Sequence, residues 1–320
     1  MLKSLRCCAS LAAALFATAA AAQPIAISTL PPGAINNVQA TVIAKTVQEN
    51  SDLQMRVITF NSPSAIIGAV QARQADFTFT SNDEAGAAIR GSDEYQGQPM
   101  KDLRVALTVL PFRVGIMVKA DSDIRTIADL KGRRFATGWQ GFLQGIPLAN
   151  AMFASAGMSL ADVKGVPAAN LLRAADDFKA GRSDGAQFAV GAPKVAEIHA
   201  AIGGVRFLPL VDTPEALKRM QQVRPEYHIA TVNPAPFLPG VVGPTPLLAY
   251  YINILTNRQT ADETVYKLVK ALHGAKQQLV KGHPSFNAFT PQGMAVKHVG
   301  AEYHPGAVKF YKEAGIWKGD

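Results

Sequence analysis

Short apolar runs alternate along the chain with proline- or glycine-marked breaks and amphipathic stretches, a rhythm of strands feeding helices. Residues 25–29 (Ile-Ala-Ile-Ser-Thr) read as a buried strand stopped at Pro31-Pro32-Gly33. The next stretch predicts a helix with Ile35, Val38, Val42 and Val47 on its apolar side. A second strand follows from Met55 to Phe60. Ser62 then stands as N-cap and Pro63 as first residue of a helix reaching about Arg73. Residues 75–80 predict a third strand, which runs into the polar Ser81-Asn82-Asp83-Glu84. Strand, helix, strand, helix, strand implies right-handed crossovers and a mostly parallel sheet.

Beyond a polar loop at 91–102, two strands are expected at 103–110 and 114–119, separated by Pro111. A short helix and turn over 126–134 leads to a strand at 134–137 and the loop Gly138-Trp139-Gln140-Gly141. Helices to about Ala156 and over 168–180, with a strand at 185–190, complete a second α/β unit at roughly 113–228. Pro234, Pro236, Pro239, Pro244 and Pro246 exclude a regular element over 232–246 and mark a crossing segment or a rigid loop. After a strand at 247–255 comes the clearest helical pattern. Thr260 and Glu263 form a capping box, and Val265, Leu268, Val269, Leu272, Ala275 and Leu279 share one face. One lobe is therefore expected from 23–112 with 229–320 and the other from 113–228, with two chain crossings between them.

The N-terminus changes the picture of where the chain works. Lys3 and Arg6 precede an apolar stretch from Cys7 to Ala20, and Ala20-Ala21-Ala22 places small residues before Gln23. This is the layout of a cleaved signal peptide, residues 1–22, so the expected location is the periplasm. Removing 22 of the 320 residues leaves 298 with no cysteine and a net charge of +6 instead of +8. Disulfides, thiolate nucleophiles and Cys-ligated metals are excluded from such a chain. The 48% apolar content excludes a disordered chain. The 32 basic and 24 acidic residues are scattered, without the stripe a nucleic-acid protein presents. The weak positive field suits a small anion or an acidic partner.

Candidate chemistry is that of binding. The sequence holds no GxSxG, HExxH, Walker A or GxGxxG motif. No two histidines stand at i, i+4, and His283-Pro284 and His304-Pro305 read as turn positions instead of metal ligands. Asp93-Glu94 and Asp176-Asp177 read as solvated acids. No catalytic set, metal or cofactor is expected. Open parallel sheets take ligands at the carboxyl ends of their strands. The loops there offer Thr29, Asn36, Ser62, Ser64, Ser81, Asn82 and Gln140 as hydrogen-bonding groups, with Trp139 and Phe142 as an apolar wall. Three of these loops lead into helix N-termini, which favour an anion. Arg113, beside the Pro111 break, adds a fork for a carboxylate. The expected ligand is a small organic anion, a carboxylate.

Several segments resemble the extracytoplasmic receptors of tripartite TRAP transporters, of the TAXI subfamily. They are Gln74–Phe79, the Ile127–Arg134 stretch with its Asp-Leu-Lys-Gly, Gly191-Ala192-Pro193, Val265–Leu272 and His304–Gly315. The resemblance implies an α/β, two-lobed periplasmic binding protein fold of type II-like form, with two mostly parallel sheets and a ligand cleft between lobes. It also implies a monomer that delivers its solute to the membrane permease of an ion-driven transporter. Delivery to an ATP-driven (ABC) importer, or a secreted α/β enzyme, are the alternatives. Two ligand loops depart from the family pattern. Its glycine-rich first loop is here Thr29–Asn37, and its Gly-Ser-Gly-Thr loop is Gly138–Phe142 with Trp139 in it, so the amino-acid-like ligand of some relatives does not carry over.

Overall fold

The computed structural model describes residues 24–32 and 35–319; the segment read as a signal peptide lies outside them. The first unit runs β1 (Ile25–Thr29), α1 (Ile35–Asn50), β2 (Met55–Thr59), α2 (Pro63–Gln71), β3 (Phe77–Ser81) and α3 (Asn82–Arg90). β2, β1 and β3 pair in parallel, as the crossover rhythm requires. Ser62 caps α2 by accepting the Ala65 amide, with Pro63 in the first turn. α1 buries Ala40, Ile43, Ala44 and Val47, one step round from the expected stripe, and leaves Val38 41% exposed. α3 replaces an expected loop: its Ala-Gly-Ala-Ala interior has no large apolar residue to mark a period, yet Asp83 and Glu84 sit in its first turn, where the helix dipole favours acids.

The two strands expected around Pro111 are one. β4 (Leu103–Lys119) pairs along its length with β10 (Thr245–Asn257) in antiparallel sense. Pro111 stands opposite Tyr251, beside a register shift at Ile252/Asn253. β7 (Ala186–Ala189) reaches the other edge of β4 only from Val114 onward, so the missing N–H of Pro111 costs no ladder bond on that side. The sheet is therefore mixed: β10 enters antiparallel to β3, and β9 (His228–Val232), β7 and β8 (Val205–Phe207) join antiparallel as well. Among the described residues, strands pair in parallel in β1–β3 and in the small pair β5 (Arg134–Thr137) and β6 (Lys164–Pro167), with single parallel bridges at Val105–Tyr303 and Phe135–Gly185.

Around the second half of β4 stand α4 (Gly145–Ser155), α5 (Leu171–Lys179), α6 (Pro193–Ala201) and α7 (Pro214–Val223). The proline-rich stretch carries no regular element between β9 and β10. The chain then closes on the first unit with α8 (Asp262–His273), α9 (Lys276–Gly282) and α10 (Pro305–Glu313). The face expected from Val265 to Leu279 is buried throughout. The capping box is not formed. α8 starts at Asp262 without a side-chain cap, because the Thr260 hydroxyl is held by Thr256 at 2.8 Å. His283 and His304 do cap turns: their Nδ1 atoms accept the Ser285 and Gly306 amides, each at 3.2 Å.

Candidate functional site

The β4–β10 pair brings a set of polar groups to one sheet face. Arg113 pairs with Ala249, and Ala249 with His228 on the other side, so Arg113, His228 and Tyr251 share that face. The His228 ring stacks on Tyr251 with centroids 5.1 Å apart. Burial lowers the His228 pKa, and the nearby Arg113 charge lowers it further against the Glu226 hydrogen bond. Arg113 itself is half-buried, its Nε is enclosed without a partner, and it forms no ion pair among the described residues. Burial pulls its pKa down, opposed by Tyr251. A half-buried guanidinium whose Nε is enclosed and which lacks a carboxylate is suited to receiving one. Asn82 lies alongside, its Oδ1 accepting the Tyr251 amide at 2.9 Å.

On the start of α3 the chain builds a second, fully internal polar cluster. The Asp83 carboxylate accepts from Gln144 Nε2 at 2.9 and 3.1 Å and from the Tyr227 hydroxyl at 3.0 Å. Gln144, in the turn before α4, also reaches the Ser81 hydroxyl at 3.1 Å. Arg224 donates to the Asp83 carbonyl at 2.7 Å and to Glu84 Oε1 at 3.2 Å, and faces Asp93 at 3.2 Å. Burial pushes the Glu84 carboxyl well up, with Asp83 adding to it and Arg224 opposing. For Arg224 burial works against the charge, but Asp83, Tyr227 and Glu84 outweigh it and hold the guanidinium more firmly protonated than usual. Arg90 pairs with Glu226 at the same place. Asp83, Glu84, Arg224 and Tyr227 are each no more than 1% exposed.

The sequence-derived candidates fall into four groups. Ser81, Asn82 and Arg113 lie at the two clusters just described. Ser62 and Ser64 meet each other at 3.1 Å, with Ser62 occupied as a cap. Thr29 is fully buried with an unpartnered hydroxyl, and Asn36 is half-buried in the first turn of α1. Trp139 is enclosed in the core, edge-on to Phe135 at 6.2 Å, and its indole N–H has no partner. Its carbonyl accepts the Phe142 amide at 2.7 Å; Phe142 is half-buried and Gln140 is exposed.

Gln144, Asp83, Arg224, Tyr227, His228 and Tyr251 were not foreseen. A polar residue in a helix-starting turn, as Gln144 is, carries no signal of a partner 61 residues earlier. The expected solvation of paired acids also needs correction. Glu94 is only 14% exposed and faces Arg224, while Asp177 is 7% exposed and is held by Arg173 and Arg182. Among the described residues, no group of three His, Cys, Asp or Glu side chains is placed to hold a metal ion, and no helix is long and apolar enough to cross a membrane.

Solved structures share this fold. A TctC solute-binding protein from Polaromonas is similar with a TM-score of 0.58 at 16% identity, over 92% of this chain and 96% of that one. The periplasmic aliphatic sulphonate-binding protein SsuA from Escherichia coli gives 0.50 at 15% identity, over 92% and 89%. The ligand-binding component of an ABC-type import system from Staphylococcus aureus gives 0.52 at 11%, over 93% and 94%. The fold is the two-lobed α/β architecture of periplasmic solute-binding proteins. Residues 35–315 match the NMT1-like family, and the chain belongs to that family.

Proposed function

We propose that this protein is an extracytoplasmic receptor that captures a small organic anion, a carboxylate, in the cleft between two lobes and delivers it to a membrane permease. In this reading 23–112 with 229–320 form one lobe, 113–228 form the other, and β4 and β10 are the hinge strands. The observation that carries it is Arg113: a half-buried guanidinium with its Nε enclosed and no ion-pair partner among the described residues, on the hinge face beside Asn82, Tyr251 and the His228 ring. Asn82, Ser81 and Thr29 add hydrogen-bonding capacity at neighbouring strand ends. The family residues quoted above favour a TRAP permease of the TAXI type, driven by an ion gradient. The TctC solute-binding protein supports the binding-protein fold alone.

The test is calorimetric titration of ligand-stripped protein with a series of small carboxylates and their neutral amides. Tight binding is expected for a carboxylate and not for its amide. Arg113→Gln should weaken it about 10- to 150-fold, the equivalent of roughly 1.5–3 kcal/mol for a hydrogen bond to a charged group. Equal or tighter binding of the neutral analogues refutes the anion assignment. Uptake into vesicles holding the cognate permease should follow an imposed ion gradient without ATP; an ATP requirement points to the importer alternative.

A further inference from the structure

Residues 295–319 enclose an open groove of about 950 Å³ that the solute reading does not use. Its floor is aromatic: Trp317 meets Tyr303 edge-on at 5.5 Å and stacks parallel to the buried Tyr311 at 6.4 Å. Its rim is cationic. Lys297, Lys309 and Lys312 line it, and none has an ion-pair partner among the described residues. The one acid among the described lining residues, Glu302, is taken by Arg104 at 3.1 Å. His298 completes the wall. Its Nε2 lies 2.8 Å from the Thr108 hydroxyl and 3.4 Å from the Asn253 amide nitrogen, which can only donate. Nε2 is therefore the acceptor, and Nδ1 is enclosed without a partner, so His298 shapes the wall and offers the groove no free donor.

Lys297 and Lys312 have no ion-pair partner among the described residues, Lys309 rests over the Tyr266 ring at 5.0 Å, and beside them lies a partly exposed indole; together they call for a partner that is negative and carries an apolar group. A solute site encloses most of its ligand. This groove is open along one side, so a small anion would stay largely in water there. An extended chain can engage the lysines in succession and lay a side chain on the indole, the residue type that anchors protein interfaces. We propose that the groove docks an extended acidic polypeptide segment of a partner protein. That the partner is the membrane component rests on the receptor reading; the preference for an acidic segment does not.

The chain has two tryptophans, and Trp139 is fully buried, so Trp139→Phe leaves Trp317 as the only indole reporter. The probe is an acetylated, amidated peptide of six glutamates around one phenylalanine. Free glutamate, the lysine counterpart of the peptide and vesicles of anionic lipid serve as comparisons, and wild-type protein is read in parallel by calorimetry. The acidic peptide alone should change Trp317 emission saturably, with an affinity that falls steeply with added salt. Lys309→Glu with Lys312→Glu should weaken it at least tenfold, leaving the melting temperature and carboxylate titration at Arg113 unchanged. No response to the peptide in either readout overturns the proposal. So does an undiminished response in the lysine variant, an equal response to free glutamate, or stronger capture by the vesicles.

Discussion

Arg224 is the most exacting test of the internal polar cluster. It is 1% exposed, with Glu84 at 3.2 Å and Asp83 at 3.6 Å, both carboxylates buried as deeply. Arg224→Met keeps most of the side-chain volume and removes the charge. At an effective dielectric near 20, the attraction to an ionised Asp83 amounts to roughly 5 kcal/mol before the cost of desolvating the ions is counted, and the raised Glu84 pKa makes that residue's share smaller. The loss is limited because Glu84 can take a proton once the cation is gone, while Asp83 keeps Gln144 and Tyr227 as donors. The net destabilisation should be about 3–5 kcal/mol, as for other broken buried pairs. At about 2–4 °C per kcal/mol, the melting temperature should fall by roughly 6–20 °C. Urea unfolding at pH 7.5, followed by tryptophan fluorescence, measures it. Adding Glu84→Gln should restore roughly 1–3 kcal/mol, because the amide is neutral already and spares the cost of protonating Glu84 in the folded chain. A loss below about 1 kcal/mol for Arg224→Met, or no recovery in the double variant, would refute the closed cluster.

Two further perturbations follow from local geometry. A methyl group at Gly306 would lie 2.2 Å from the carbonyl oxygen of Asp262, so α10 enters against the backbone of α8. Gly306→Ala should therefore cost roughly 1–3 kcal/mol in urea unfolding despite the better helix former; a neutral result would show that the helices do not meet there. Burial holds the His298 pKa down at about 4, from an ordinary 6.5. The unfolded chain then binds the extra proton first as pH falls. His298 should thus contribute fully above about pH 6.5 and lose about 3 kcal/mol by pH 4, a slope that His298→Gln flattens. An identical pH–stability curve for the two proteins would exclude it.

Local pattern made much of the chain legible. The strand at 25–29, the Ser62-Pro63 helix start and the buried face from Val265 to Leu279 all stand as expected, because burial period and capping chemistry are properties of a few adjacent residues. The two histidine caps were legible for the same reason. What failed was decided by distant partners. Pro111 broke a strand on paper, yet β10 on one side and an unpaired edge on the other let β4 run through. Thr260 could cap a helix, but Thr256 claims its hydroxyl.

The candidate site divides along the same line. Ser81, Asn82 and Arg113 were legible as polar groups at strand ends, where a sheet of this kind presents its loops. That Arg113 is left without a partner is a fact of packing alone. Trp139 reads as a wall for a ligand, but its position behind Phe135 puts it in the core. The sequence determined an α/β chain of strand-end loops with no evident catalytic set. Only the tertiary structure decided that Asp83 would meet Gln144, Arg224 and Tyr227. Charges that look solvated one at a time become an internal network when segments from 61 to 144 residues away converge on one helix start. Pairing energy between buried ions depends on separation and exclusion of water, and neither is written in neighbouring residues.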